Sequence, residues 1–98
     1  MEAYIGKHIL VGLTYFNTDD SVKDRVQLHG NIISISENTI VFKRTDNGEN
    51  FSIPFDENNL EPDETDSVYE LSSTGEVVEN VDFVSSWNIR PPQDDENL

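Results

Sequence analysis

The side chains best equipped for chemistry are two histidines, His8 and His29, and a long series of carboxylates. An imidazole within reach of a carboxylate can take up a proton and pass it on, so His29 paired with an acid would serve as a general acid or base. If His8 and His29 fall on adjacent strands, the two rings and an acid could instead hold a metal ion. Against both stands the surrounding pattern: each histidine lies in an alternating, strand-like stretch, where a half-exposed imidazole is the ordinary outcome. The chain has no G-x-S-x-G, no H-E-x-x-H and no phosphate-cradling glycine loop. With no cysteine there is no thiolate chemistry, no cysteine metal site and no disulfide framework. The expectation is therefore a non-enzymatic protein with no catalytic residue, no metal site and no cofactor.

The carboxylates say more through their placement. Twenty acids against six lysines and arginines give a formal net charge of −14. Residues 1–44 hold five acids and five bases, whereas residues 45–89 hold twelve acids and no Lys or Arg. Nucleic acid is disfavoured as a partner, because phosphate binding needs clustered cations and this body would repel the backbone. Tyr4, Tyr15 and Phe16 could stack bases, but aromatics on the strands of a small β domain are more often core. Asp19, Asp20 and Asp24 lack the spacing and glycine of a calcium loop and read as a solvated turn. The acidic half has a bland reading, solubility or adaptation to salt, and a functional one, a negative face that steers a basic protein partner. On the functional reading Asp56, Glu57, Glu61, Asp63, Glu64 and Asp66 form the partner-binding set. Small acidic proteins that neutralise basic nuclease toxins use this logic, so an immunity-type inhibitor is its sharpest form. The alternative is a small-ligand-binding or catalytic β-barrel using His29.

The elements that must position these residues are strands. Val26, Leu28, Gly30 and Ile32 keep one phase, then Ile33 and Ile35 take the other, so the backbone must absorb a one-residue slip. Gly30 stands just before the slip and is the expected site of a bulge or bend. Ser36 to Thr39 makes a turn, with Asn38 suited to positive φ. After Ile40-Val41-Phe42 comes Asn47-Gly48, a strong hairpin signal. Pro54 cannot donate to a ladder, so the strand holding Phe51 and Ile53 ends there or lies at an edge.

Upstream, Lys7 to Phe16 alternates with Ile9, Val11, Leu13 and Tyr15 on one face. Downstream, 56–66 reads as an acidic loop with one apolar anchor, Leu60, and room for a helical turn. Val68 to Leu71 turns through Ser73 to Glu76 into Val77-Val78, and Phe83, Ser85, Trp87 and Ile89 form the last strand. Phe42 and Trp87 are expected in the core. The domain is expected to span 1–90, with 91–98 a disordered acidic tail.

Six short strands, near 7–16, 25–36, 39–44, 50–55, 67–72 and 82–90, predict an all-β fold, a small antiparallel barrel or half-open barrel. The run from His29-Gly30-Asn31-Ile32 through two hairpins to Ile53-Pro54 resembles the bent-strand core of SH3-like small barrels. Gly6 to Tyr15, Leu28-His29-Gly30 and Tyr69 to Val78 are similar to a group of small uncharacterised bacterial proteins, a likeness that brings no activity with it. No apolar run approaches the ~20 residues of a membrane span. Ile9 to Leu13 reads as a strand rather than a signal-peptide core, which makes a cytoplasmic protein the expectation.

Overall fold

The computed structural model describes residues 4–63, 68–71 and 74–91. The chain is all-β. In order it forms β1 (His8–Phe16), β2 (Val22–Ile35), β3 (Thr39–Arg44), β4 (Asn50–Pro54), a 3-10 turn (Glu57–Asn59), β5 (Glu61–Pro62), β6 (Tyr69–Glu70), β7 (Val77–Val78) and β8 (Phe83–Ile89). Six of these strands make one sheet in the order β4-β3-β2-β1-β8-β5, and β6 pairs with β7 in a separate ribbon.

The first four strands follow the hydrophobic alternation and are joined by hairpins. The β3–β4 hairpin closes with Arg44 N–H donating to the Glu49 carbonyl at 2.8 Å, and Gly48 takes φ 73° as the turn requires. Pro54 is the last residue of the edge strand β4, where a missing N–H costs nothing. The 56–66 segment does hold a helical turn, and Leu60 is buried beneath it.

Several expectations are corrected. The sheet is mixed, not purely antiparallel, because β8 runs parallel to β1. It is not closed into a barrel, since β4 and β5 remain its edges. β2 begins at Val22, and the strand expected near 67–72 shortens to Tyr69–Glu70. Asn38 is not among the positive-φ residues, which outside glycine are Asp20 and Asn80. The slip is absorbed between Ile32 and Ser34, so Ile33 is the bulged residue and its side chain is exposed. Gly30 instead marks a close approach: a Cβ there would overlap the Lys43 carbonyl and come within 3.1 Å of Arg44 Cα.

The main core gathers Ile9, Val11 and Leu13 of β1, Leu28 and Ile32 of β2, Ile40 and Phe42 of β3, Ile53 of β4, and Leu60. One cluster fed by strands from both ends of the sheet means that the sheet curls around it. Phe42 is fully buried as expected, but Trp87 is only half-buried, its indole N–H donating to Ser85 Oγ at 2.8 Å. A second cluster, Leu10, Leu71, Val78 and Val81, forms on the opposite face of β1, where the β6–β7 ribbon covers the sheet.

Candidate functional site

The ribbon brings a carboxylate to the histidines. Leu10 of β1 pairs with His29 of β2, so His8 and His29 are diagonal neighbours on the face that the ribbon covers. Their rings meet, His8 Nε2 to His29 Nδ1 at 2.9 Å. His29 Nε2 lies 2.8 Å from Glu76 Oε2, and His8 Nδ1 lies 3.2 Å from the Asn80 carbonyl. Glu76 is placed by the tight ribbon turn, where Gly75 takes φ 76° and Leu71 N–H donates to the Glu76 carbonyl at 2.8 Å. Asn80 presents its carbonyl from a left-handed conformation, φ 59°. Asp82 then fixes the start of β1: its carboxylate accepts from His8 N–H at 2.9 Å and its own N–H donates to the His8 carbonyl at 2.8 Å.

The chain of contacts sets a proton count. A carbonyl can only accept, so His8 Nδ1 carries a proton; one further proton bridges the two rings; an ionised Glu76 requires a third on His29 Nε2. His29 is 8% exposed and so is not the half-exposed residue expected, while the Glu76 side chain is 40% exposed and meets water. The arrangement can pass a proton from the solvent end at Glu76 inward to His8. It also fastens the ribbon to β1 and β2. Among the described residues no group of three or more His, Asp or Glu side chains converges as a metal site.

The acidic set divides. Asp56 and Glu57 are exposed beside the 3-10 turn, and the Asp56 carboxylate caps that turn by accepting from Asn58 N–H at 2.9 Å. Glu61 is exposed on β5. Asp63 is half-buried and accepts from the Tyr69 hydroxyl at 2.8 Å, so it is structural rather than presented. Glu64 and Asp66, like the tail from residue 92, lie outside the described residues. Glu37, which sequence reasoning did not include, joins Asp56 and Glu57 from the β2–β3 turn. The three line an open cleft of about 840 Å³ with Phe55 and Trp87, and among the described residues no basic side chain lines it.

Two of the three arginines, Arg44 and Arg90, are engaged elsewhere. Arg44 holds Asp46 at 2.7 Å, and that hydrogen bond keeps the Asp46 carboxyl below its usual range. Arg90 holds Asp20 at 2.6 Å and lies over the Phe16 ring. The Asp19 carboxyl is also lowered, chiefly by the Ser21 hydroxyl that donates to it.

Glu37, Glu76, Asn80 and Asp82 were missed for one reason: each reaches its site across a turn or a ribbon, and no local spacing encodes that. No helix among the described residues is long and apolar enough to cross a membrane. Comparison with protein-family models, with curated proteins and with solved structures found no match for this chain.

Proposed function

We propose that this chain is a non-enzymatic, cytoplasmic protein-binding module whose acidic side engages a basic protein, with an immunity-type inhibitor of a basic toxin or nuclease as its most specific form. The observation that carries the reading is the cleft lined by Glu37, Asp56, Glu57 and Trp87 without a neutralising base. Carboxylates without a basic partner among the described residues, beside Phe55 and Trp87, suit an incoming lysine or arginine, through Coulomb attraction and contact with the ring face. The open, curled sheet is compatible with kinship to SH3-like small barrels and to the small bacterial proteins it resembles, and that kinship is part of the proposal.

The test is capture from native lysate with the protein and with a variant carrying Glu37→Gln, Asp56→Asn, Glu57→Gln and Glu61→Gln. A basic partner should be held at about 0.05 M salt, weakened at about 0.5 M where the Debye length is near 4 Å, and lost by the neutralised variant. Capture that is indifferent to the four substitutions would discard the reading and leave solubility as the purpose of the charge.

A second reading, a ligand-binding or catalytic β domain using His29, is favoured by the Glu76–His29–His8 chain of contacts. Its test is a titration of the two imidazole NMR signals with small carboxylates, amines and nucleotides. A saturable shift of both rings would transfer the function to this site.

A further inference from the structure

The two strands at the mouth of the curled sheet leave a gap that a strand would fill. β4 is an edge strand, and its hydrogen-bond phase is fixed twice: Arg44 N–H donates to the Glu49 carbonyl at one end and Phe55 N–H to the Asn38 carbonyl at the other. Antiparallel ladders alternate, so Phe51 and Ile53 bond to β3 while Ser52 turns its N–H and C=O outward. Across the gap, β5 covers only Phe83 and Val84 of β8, and the Asn59 side-chain amide pairs with the backbone of Ser86 at 2.6 and 3.4 Å. Beyond Ser86 that edge of β8 has no strand partner among the described residues.

Between these edges runs a groove of about 360 Å³ with an apolar floor of Leu13, Phe51, Ile53, Trp87 and Ile89. It shares Pro54 and Trp87 with the acidic cleft, so the two are continuous. One end therefore opens on Glu37, Asp56 and Glu57, and the other reaches Arg90. Open strand edge, apolar floor and one-sided charge are three separate features of one slot.

We infer that this slot takes an extended basic segment of the protein partner, added as a strand antiparallel to β4, with apolar side chains on the groove floor and its basic N-terminal end at the acidic cleft. The inference rests on the protein-binding reading and adds the manner of docking to it. Ser52 supplies one N–H and one C=O to the new ladder, and Asn88 stands in the equivalent outward phase on β8. A second copy of this chain is the poorer occupant, since a body of net charge −14 repels itself.

The test uses a capped synthetic peptide, Lys-Arg-Val-Thr-Val-Thr, titrated into the full chain and followed by Trp87 fluorescence and backbone NMR. Saturable binding is expected, with amide shifts at 51–53 and 86–89 and, where the basic end sits, at 37–38 and 55–57. Removing one strand hydrogen bond at about 1 kcal/mol should weaken binding about fivefold. Two changes each do so: Ser52→Pro in the protein, with Ser52→Ala as the control that keeps the N–H, and N-methylation of the peptide's first threonine, the residue opposite Ser52 when the valines face the groove floor. The second leaves the protein untouched and settles the matter where Ser52→Pro impairs folding. A peptide with both valines replaced by glycine keeps the charge and should bind at least tenfold more weakly. If it binds equally well, charge alone recruits the partner: the groove is overturned and the protein-binding reading stands. If no peptide binds although the lysate partner is held by the carboxylates, the groove is again overturned by itself. Concentration-dependent dimerisation abolished by Ser52→Pro would also overturn it, by giving the edge to a second copy.

Discussion

Gly30→Ala tests the packing of the sheet at its tightest point. The added methyl would overlap the Lys43 carbonyl and stand 3.1 Å from Arg44 Cα, where ordinary carbon contacts need about 3.5–4.0 Å. Both obstacles are backbone, so no side-chain rotation relieves them; β2 and β3 must separate locally. That separation pulls on the bond from Thr45 N–H to the His29 carbonyl, 2.9 Å, and on the paired residues Gly30 and Arg44. Overpacking costs about 1–3 kcal/mol and a weakened ladder bond about 0.5–1.5 kcal/mol, so a loss of roughly 2–4 kcal/mol is expected. For a domain of this size that lowers Tm by about 10–25 °C. Urea unfolding followed by the single tryptophan, Trp87, measures it directly. Gly30→Val should cost more than Gly30→Ala. A loss below about 0.5 kcal/mol, typical of an unobstructed surface site, would refute the close approach and the β2–β3 register that creates it.

Trp87→Ala should cost about 1.5–3 kcal/mol, less than the ~3–5 kcal/mol of a fully buried aromatic, because the ring is half-exposed over the groove; calorimetric unfolding of the variant checks this. Glu76→Gln replaces the carboxylate with an amide that can itself donate to His29 Nε2, so the tautomer preference of the two rings should change. ¹⁵N spectra of the imidazoles read that change, and a wild-type pair with a deprotonated His8 Nδ1 would contradict the contact to Asn80. Asp46→Asn tests the pH arithmetic. The folded carboxyl lies below its unfolded value, so its contribution is present above the unfolded value and lost as pH falls through the folded one. Asp46 is exposed and Arg44 half-buried, so a few tenths of a kcal/mol at neutral pH, vanishing at strongly acidic pH, is the expected size in denaturation at the two conditions.

What the sequence made legible was local. Alternation in 26–55, the Asn-Gly turn and the terminal Pro54 each act over a few residues, and each element they imply is in place. The phase slip was visible, but assigned to Gly30 because glycine permits a bulge at least cost. The structure spends that glycine on close contact with Lys43 and bulges at Ile33, whose side chain is exposed and outside the core clusters. Periodicity reports which face a residue takes, not which strand lies beside it. The parallel pairing of β1 with β8 was therefore invisible, since no turn joins those strands and no register is imposed by a loop.

The same limit governs the site. That His8 and His29 could meet across adjacent strands follows from their places on β1 and β2; that Glu76 would complete the chain does not. Its position depends on Leu71, Val78 and Val81 packing against Leu10, a cluster of four residues from three places in the chain. The ribbon is short, two residues a side, and cannot hold itself in water. Its anchorage is that small cluster together with the histidine chain and the hydrogen bond from the Tyr69 hydroxyl to Asp63. A carboxylate–imidazole–imidazole arrangement with a structural task is the economical account of why so buried a polar group as His29 is kept here. It also separates the two halves of the molecule's chemistry. The histidines hold the ribbon to one face of the sheet, and the open edge, the apolar groove and the cleft carboxylates lie at the margin between β4 and β8.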